Sequence, residues 1–338
     1  MSSKHPVILR CAPGLAKVLQ HEMKFRKVME RGARPMEIYQ RNHDIVFLKN
    51  VVSLQGLQDM RLSEDAGECL MHGQFKISPQ QLDRAAEELR DIKKPLKLAV
   101  TADGRHFDRR DMDRFMSREL RDRGVRLADE GQQMLWFFII DEKFYLVLET
   151  AREDNAYARY FRKREREGSL PPTIAAAMCF VARPQPRETV LDPCCGSGTL
   201  LAEAHGLQSS LAKLSGFDID SEAISVAREN LRKIPYGEAH TGDGTATARA
   251  DASIDLVLAN LPFGKQYGSK LDNPQLYEGI LRESMRLAKK PGWRAVLLTS
   301  DVPAFKSAIQ KVGQLKYEEA FTVKIRGEVS RCYQVTFK

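Results

Sequence analysis

The sequence predicts an α/β protein in two parts: a mostly parallel sheet that ends in an antiparallel hairpin, preceded by an α+β region. Three observations carry that expectation. Apolar strands and amphipathic helices alternate regularly from Thr189 onward, the front half mixes the two without that regularity, and the texture changes at Gly168-Ser169-Leu170-Pro171-Pro172. With 338 residues, 43% hydrophobic and 29% charged, the chain has enough apolar surface for two or three domains with their own cores.

In the front part, Val7–Cys11 and residues 45–48 read as short strands flanking a helix over 15–28. A second helix spans 80–90, with Leu82, Ala86 and Leu89 on one face. Residues 96–101 then form a strand, and 111–123 a basic helix that turns Met112, Phe115, Met116 and Leu120 inward. Residues 135–140 and 144–149 complete a hairpin, so this part is a small sheet backed by helices. A boundary belongs around 150–170, and beyond it the alanine-rich segment 174–182 reads as a buried helix.

The back part continues with a strand at 189–191, a helix at 199–206, a strand at 215–217, a helix over Ser221–Leu231 and strands at 238–240 and 254–259. A helix at 276–289, a strand at 295–299, a helix over Val302–Val312 and strands at 320–325 and 332–337 follow. Strands separated by helices imply crossover units and a parallel sheet, while the short turn at 326–330 makes the last pair antiparallel. That variant of the nucleotide-binding sheet points to S-adenosylmethionine.

Other classes fall away on composition. The longest apolar stretch, 134–140, is a third of the roughly 20 residues a membrane helix needs, and no apolar core of signal-peptide length follows the N-terminus; a cytoplasmic protein is expected. Cysteines 11, 69, 179, 194, 195 and 332 show no metal-ligand spacing, and all are read as reduced. The balance of 53 basic against 45 acidic residues gives +8, spread over both halves. Its arrangement says more: between Arg105 and Arg126 lie eight arginines and no lysine among five acids, and six further basic residues run from Arg152 to Arg166. Arginine makes bidentate phosphate contacts that lysine cannot, so the cluster suits phosphate recognition, with a salt-bridged helix face as the alternative.

The sharpest motif is Val190-Leu191-Asp192-Pro193-Cys194-Cys195-Gly196-Ser197-Gly198-Thr199. A buried strand ends in an acid and breaks into a loop whose glycines admit a ligand to the backbone, with a helix opening behind. Leu201 stands where a dinucleotide loop wants its third glycine, which disfavours a pyrophosphate and a nicotinamide oxidoreductase. Phe217-Asp218-Ile219-Asp220 ends the next strand, where a carboxylate meets ribose hydroxyls; Asp218 is the better ribose ligand, and Asp220 is equally a helix N-cap. Asp243, in Gly242-Asp243-Gly244-Thr245, could accept from an adenine amino group or form an ordinary Asp-Gly turn.

The deciding segment is Asn260-Leu261-Pro262-Phe263-Gly264. An exocyclic amino group is a poor nucleophile because its lone pair is delocalised into the ring. An enzyme that alkylates it must accept its N–H protons and favour pyramidal geometry. The Asn260 amide oxygen with a nearby backbone carbonyl can do so, Pro262 fixes the turn and Phe263 offers a stacking face.

These residues resemble the class I, Rossmann-fold RNA methyltransferases with an N-terminal THUMP domain, which modify the 2-amino group of guanosine in tRNA. The glycine loop, the 260–264 segment, Lys265-Gln266-Tyr267-Gly268-Ser269, residues 273–277 and the stretch from Tyr160-Phe161-Arg162 to Ala175-Ala176-Ala177 carry the resemblance; residues 97–149 match a THUMP core less closely. The Cys194-Cys195 pair and Asn rather than the commoner Asp at 260 depart from the pattern. The resemblance implies a ferredoxin-like segment over 1–75, a THUMP-like RNA-binding domain over 76–152, a linker over 153–172 and a Rossmann-like methyltransferase domain over 173–338. It implies catalytic and base-positioning roles for Asn260, Pro262 and Phe263. Asp192, Cys194, Gly196, Ser197, Gly198, Thr199, Asp218, Ile219, Asp243, Gly244 and Asn260 would hold S-adenosyl-L-methionine, and Arg105, Arg109, Arg110, Arg114, Arg162 and Lys265 would grip RNA. No metal, a tRNA partner, no membrane and a monomer, with room for a small activating subunit, complete the expectation. Two other readings stay open: a methyltransferase for the 6-amino group of adenine in RNA or DNA, and a non-catalytic RNA-binding protein that keeps the cofactor pocket.

Overall fold

The computed structural model describes residues 4–29, 32–39, 44–74, 76–103, 107–140, 142–150, 164, 166, 168–262 and 272–338. Chain order in the front part is β1 (Val7–Cys11), α1 (Ala16–Phe25), β2 (Met36–Tyr39), β3 (Asp44–Leu48), α2 (Leu54–Gln58), β4 (Asp65–Gln74), α3 (Pro79–Arg90), β5 (Leu96–Asp103), α4 (Arg109–Asp122), β6 (Gln133–Ile140) and β7 (Lys143–Glu149). These strands form one seven-stranded sheet in the order β2-β3-β1-β4-β7-β6-β5, with only β5 and β6 paired in parallel. It is larger than the expected small sheet, because β2 and β4 join the strands read from the sequence. The hairpin β6–β7 forms as expected, with Ile140 opposite Lys143.

Local chemistry sets these elements. Ser78 and Gln81 form a reciprocal capping box at the start of α3, with Pro79 in its first turn. Asp108 caps α4 by accepting from the Arg110 and Asp111 amides at 2.7 and 3.1 Å. Alternate residues of β6 face opposite sides: Leu135, Phe137 and Ile139 pack under α3 and α4, while Trp136, Phe138 and Ile140 join Ile8, Phe47 and Tyr145 on the other face. Of the inward set expected on α4, Met116 and Leu120 are fully buried, and Met112 and Phe115 are half-buried at its edge.

The back part runs α5 (Pro172–Ala182), β8 (Thr189–Asp192), α6 (Thr199–Leu207), β9 (Lys213–Asp218), α7 (Ser221–Leu231), β10 (Gly237–Thr241), β11 (Leu256–Asn260), α8 (Asn273–Leu287), β12 (Arg294–Thr299), α9 (Val302–Val312), β13 (Leu315–Ile325) and β14 (Glu328–Phe337). Its sheet has the order β10-β9-β8-β11-β12-β14-β13. The first five strands are parallel and the last two antiparallel, as expected. The closing turn is tighter than 326–330: Ile325 pairs with Glu328, leaving only Arg326 and Gly327 between the strands.

One apolar cluster joins the two parts. Val7, Leu9, Leu15 and Leu19 of the front sheet and α1 pack with Ile174, Met178 and Leu201 of α5 and α6. Gly14 is pressed so closely on β13 that an added Cβ would lie 1.8 Å from the Thr322 carbonyl oxygen. The second face of the back sheet is covered by α8 and α9 through Tyr277, Ile280, Phe305 and Ile309. All six cysteines are unbridged. No described helix is long and apolar enough to cross a membrane.

Candidate functional site

In an open parallel sheet the ligand crevice lies beyond the carboxyl ends of the strands where their order reverses. Here the order reverses between β8 and β11, and a pocket of about 460 Å³ opens there. Asp192 ends β8 on its floor and is 1% exposed. Burial above all pushes its carboxyl well above the usual range, despite a hydrogen bond from the Cys194 amide at 3.1 Å. Gly196 and Gly198 then take positive φ of 52° and 78°, which lets the loop fold back and open α6 at Thr199.

The loop is anchored by the next strand. Asp218 Oδ2 accepts from the Gly196 amide at 2.9 Å, and its Oδ1 accepts from the Asp220 amide at 3.0 Å. Asp218 is therefore both a wall of the pocket and a brace for the glycine loop. Of the two roles left open for Asp220, the structure shows the N-cap: it accepts from the Glu222 and Ala223 amides at 2.9 and 3.2 Å and pairs with the Arg166 guanidinium. The Ala223 amide bond, with Arg166, holds its carboxyl below the usual range. Asp243 closes an Asx turn, accepting from the Thr245 amide at 2.8 Å and the Thr245 hydroxyl at 2.7 Å, while still lining the pocket. Beside it, a Cβ on Gly244 would lie 1.9 Å from the Pro193 carbonyl oxygen, so the two loops close on each other only with glycine there.

A second set of contacts stitches the segment before α5 onto this floor. Ser169 and Ser197 share a hydrogen bond of 3.0 Å, and Ser197 and Thr199 another of 3.2 Å. Buried Asn230 donates to the Ser197 carbonyl at 3.0 Å and accepts from the Arg164 amide at 3.2 Å.

Across the reversal point, Asn260 ends β11. Its backbone carbonyl accepts from the Cys194 thiol at 3.4 Å, and its side-chain Oδ1 is buried with no hydrogen-bond partner among the described residues. A buried acceptor left unpaired costs about 1–3 kcal/mol unless a ligand supplies the donor. Behind it runs a chain of hydroxyls. The Asp301 amide donates to Thr299 Oγ1 at 2.9 Å, Thr299 lies 2.9 Å from Tyr277 Oη, and Tyr277 donates to the Pro262 carbonyl at 2.7 Å. Burial pushes the Tyr277 hydroxyl pKa up, which keeps it a donor.

The pocket thus gathers Asp192, Cys194, Gly196, Ser197, Thr199, Asp218, Ile219, Asp243, Gly244, Asn260 and Pro262 from the sequence-derived set. Gly198 sits just behind the lining, packed on Ala227. Phe263, Lys265, Arg105 and Arg162 lie outside the described residues. Arg109, Arg110 and Arg114 are exposed on the first turns of α4 and do not line the pocket. Arg114 lies 3.4 Å from Asp111, and both side chains are largely in water. Sequence reasoning did not find Arg166, Ser169, Leu170, Leu276, Ile280, Ile325, Arg326 or Glu328, which also line the pocket. Leu276 and Ile280 are one helical turn apart, and that spacing was the available signal; the hairpin tip became legible only with the true strand lengths.

Chemically, carboxylates at the ends of two neighbouring strands suit a nucleoside's hydroxyl and amino groups, and the hydroxyls at the start of α6 suit an anion or a carboxylate. Asn260, whose amide oxygen has no partner among the described residues, lines the pocket from the β11 side. Among the described residues no group of three His, Cys, Asp or Glu side chains could hold a metal ion.

Comparison with known proteins adds to this geometry. The family model described as UPF0020, RMKL-like, methyltransferase domain, matches residues 159–331. A Bos taurus protein named tRNA (guanine(6)-N(2))-methyltransferase THUMP3 is 31% identical over 161 residues, which is 44% of this chain and 32% of that protein. A Thermus thermophilus protein named tRNA (guanine(6)-N2)-methyltransferase is 33% identical over 157 residues, 45% of this chain and 46% of that protein. The matched stretches therefore span less than half the length of these relatives. The crystal structure of TrmN from Thermus thermophilus superposes with a TM-score of 0.82 at 23% identity, covering 98% of this chain and 99% of that one, so the fold is shared over both parts.

Proposed function

The chain belongs to the RMKL-like methyltransferase family, and from that premise we propose that it transfers a methyl group from S-adenosylmethionine to the exocyclic 2-amino group of a guanosine in tRNA. Both relatives are named for guanine 6, and the proposal adopts that position. The observation that carries the reading is Asn260 Oδ1, buried without a hydrogen-bond partner among the described residues, on a side chain that lines a nucleoside-sized pocket.

The pocket residues fit the cofactor. Asp218 and Asp243 would meet its ribose and adenine, Leu276 and Ile280 would cover the ring, and Ser169, Ser197 and Thr199 would meet the amino-acid end. When bound, S-adenosylmethionine supplies an electrophilic sulfonium methyl. The protein's own contribution is positioning. Asn260 Oδ1 would accept one N–H of the amino group, which draws the nitrogen lone pair out of conjugation, and Pro262, held by Tyr277, would fix the angle of approach. A neutral amide does not keep the proton, so it leaves to solvent after transfer. Phe263, on the sequence reading, would stack the base. A base inside a duplex has to be flipped out to reach Asn260.

Affinity for folded RNA comes mainly from phosphate contacts, which position without specifying. Arg109, Arg110 and Arg114, exposed and set on a helix of the front sheet, are suited to it. We read residues 76–152 as the RNA-gripping unit, with 1–75 before it, 153–172 as the connection and 173–338 as the catalytic unit.

Incubation of the protein with tritiated S-adenosylmethionine and total tRNA, then digestion to nucleosides, tests the proposal: label is expected on N2-methylguanosine. Label on adenosine would move the target to the 6-amino group, and cofactor binding without label would point to a binding module or a missing subunit. Asn260→Ala is expected to abolish transfer while leaving the cofactor Kd within about tenfold by calorimetry, since one neutral hydrogen bond is worth about 0.5–1.5 kcal/mol. Substantial activity in that variant would sink the assignment.

A further inference from the structure

The tip of the β13–β14 hairpin overhangs the pocket. Asn260 is level with Leu298 on β12, and Leu298 with Cys332 on β14, so the hairpin runs on from there to Glu328, roughly 13 Å beyond. Its two-residue turn has φ of 49° at Arg326 and 90° at Gly327, the pattern of a type I′ turn. Asn, Asp or Gly is the usual occupant of the first position; a long side chain there carries backbone strain, and such strain gathers at functional sites. Arg326 and Glu328 both line the pocket. Asp192, Asp218 and Asp243 stand on the β8–β10 side of the strand-order reversal, whereas Asn260, Arg326 and Glu328 stand on the β11–β14 side.

We propose that Arg326 and Glu328 are specificity residues that read the target guanine, the Arg326 guanidinium donating to O6 and the Glu328 carboxylate accepting from N1–H, while Asn260 accepts from the 2-amino group. This rests on the guanosine reading above. The Watson–Crick edge of guanine presents an acceptor, a donor and a donor in that order, and one guanidinium, one carboxylate and one amide oxygen complement it. Adenine presents a donor and then an acceptor and is mismatched at both positions. A splayed single base is read on this edge in sequence-specific RNA recognition. A site built to hydrogen-bond such groups rejects a base that lacks them.

The test uses the full chain and a ligated tRNA bearing either guanosine or 2-aminopurine riboside at position 6. The analogue keeps the 2-amino group but lacks O6 and N1–H. The wild type is expected to prefer guanosine, and Arg326→Asn and Glu328→Gln are each expected to lower the guanosine-to-2-aminopurine ratio of kcat/KM by about ten- to a hundredfold, at unchanged cofactor Kd. Asparagine favours the left-handed backbone, so the first variant keeps the turn. Equal losses on both bases would assign the pair to phosphate binding or to structure, a weakened cofactor Kd would assign them to the cofactor, and either result overturns the proposal. An unchanged ratio with guanosine labelled overturns this inference alone; no label on guanosine with the wild type overturns the parent reading too.

Discussion

Tyr277 is fully buried, and its single hydroxyl proton is committed to the Pro262 carbonyl, so Thr299 must be the donor in their shared bond. The hydroxyl chain therefore has one direction and fixes the backbone beside Asn260. Tyr277→Phe leaves the Pro262 carbonyl and the Thr299 hydroxyl short of a partner, a cost of about 1–3 kcal/mol. Because the carbonyl belongs to the proposed base-positioning turn, kcat is expected to fall about tenfold or more with cofactor affinity unchanged. Single-turnover rates with cofactor titration check this; a matched loss of cofactor binding would mean that the whole pocket had shifted. Asp192, Asp218 and Asn260 were legible in the sequence because each follows a short apolar strand. Tyr277 was not legible as a support, since its partners at 262 and 299 come from separate strand ends that only the sheet order brings together.

At the scale of elements, what was legible followed hydrophobic period and end signals. Helices α7 and α9 have the bounds their caps at Asp220 and Asp301 dictate. Strand β4 was invisible because a register shift between Cys69 and Met71 breaks its alternation and Gly67 and Gly73 dilute its apolar signal. The first half of β13 was missed for another reason: residues 316–320 are all exposed and mostly charged or polar, so only its pairing with β14 declares it a strand. Edge strand β10 depends on charge in place of apolar burial. Glu238 accepts from Ser215 at 3.0 Å, lies 3.1 Å from Lys213 and 3.2 Å from His240, and pairs with Arg249. Partial burial alone would raise its pKa, but these partners outweigh it and bring it down to about 2. A depressed carboxylate stabilises the fold fully above its unfolded value near 4.5 and loses that contribution as pH falls toward 2. Glu238→Gln is therefore expected to be less stable than wild type in urea at pH 7, with the difference shrinking between pH 4.5 and 2. A difference independent of pH would show that the carboxylate's charge is not what holds the edge.

At the scale of the whole molecule, the boundary near 150–170 was legible as a change of composition, but the core that crosses it was not. Sequence order separates α1 from α5 and α6, yet their apolar faces form one cluster, and the loop after α2 reaches across to α6 of the back part. There Arg61 donates from Nε to Glu203 Oε2 at 2.8 Å, and the Arg61 and Leu62 amides donate to Glu22 at 2.8 and 2.9 Å. Glu22 and Glu203 are buried. Burial works against the Arg61 charge, but Glu203 and Glu22 more than offset it and raise its pKa. On the proposed function this arrangement would matter, because it ties the part that carries helix α4 to the part that carries the pocket. Glu203→Gln keeps the shape of α6 but leaves the Arg61 charge without its main counterion, and breaking one partner of a buried pair costs about 3–5 kcal/mol. The wild type is expected to melt in a single transition, since the shared core and the buried ion pair together couple the two parts. The variant is expected to melt lower and to resolve into two transitions by calorimetry, with the front sheet released first. A lower but still single transition would show that apolar packing alone couples the two parts and that the ion pair adds only stability.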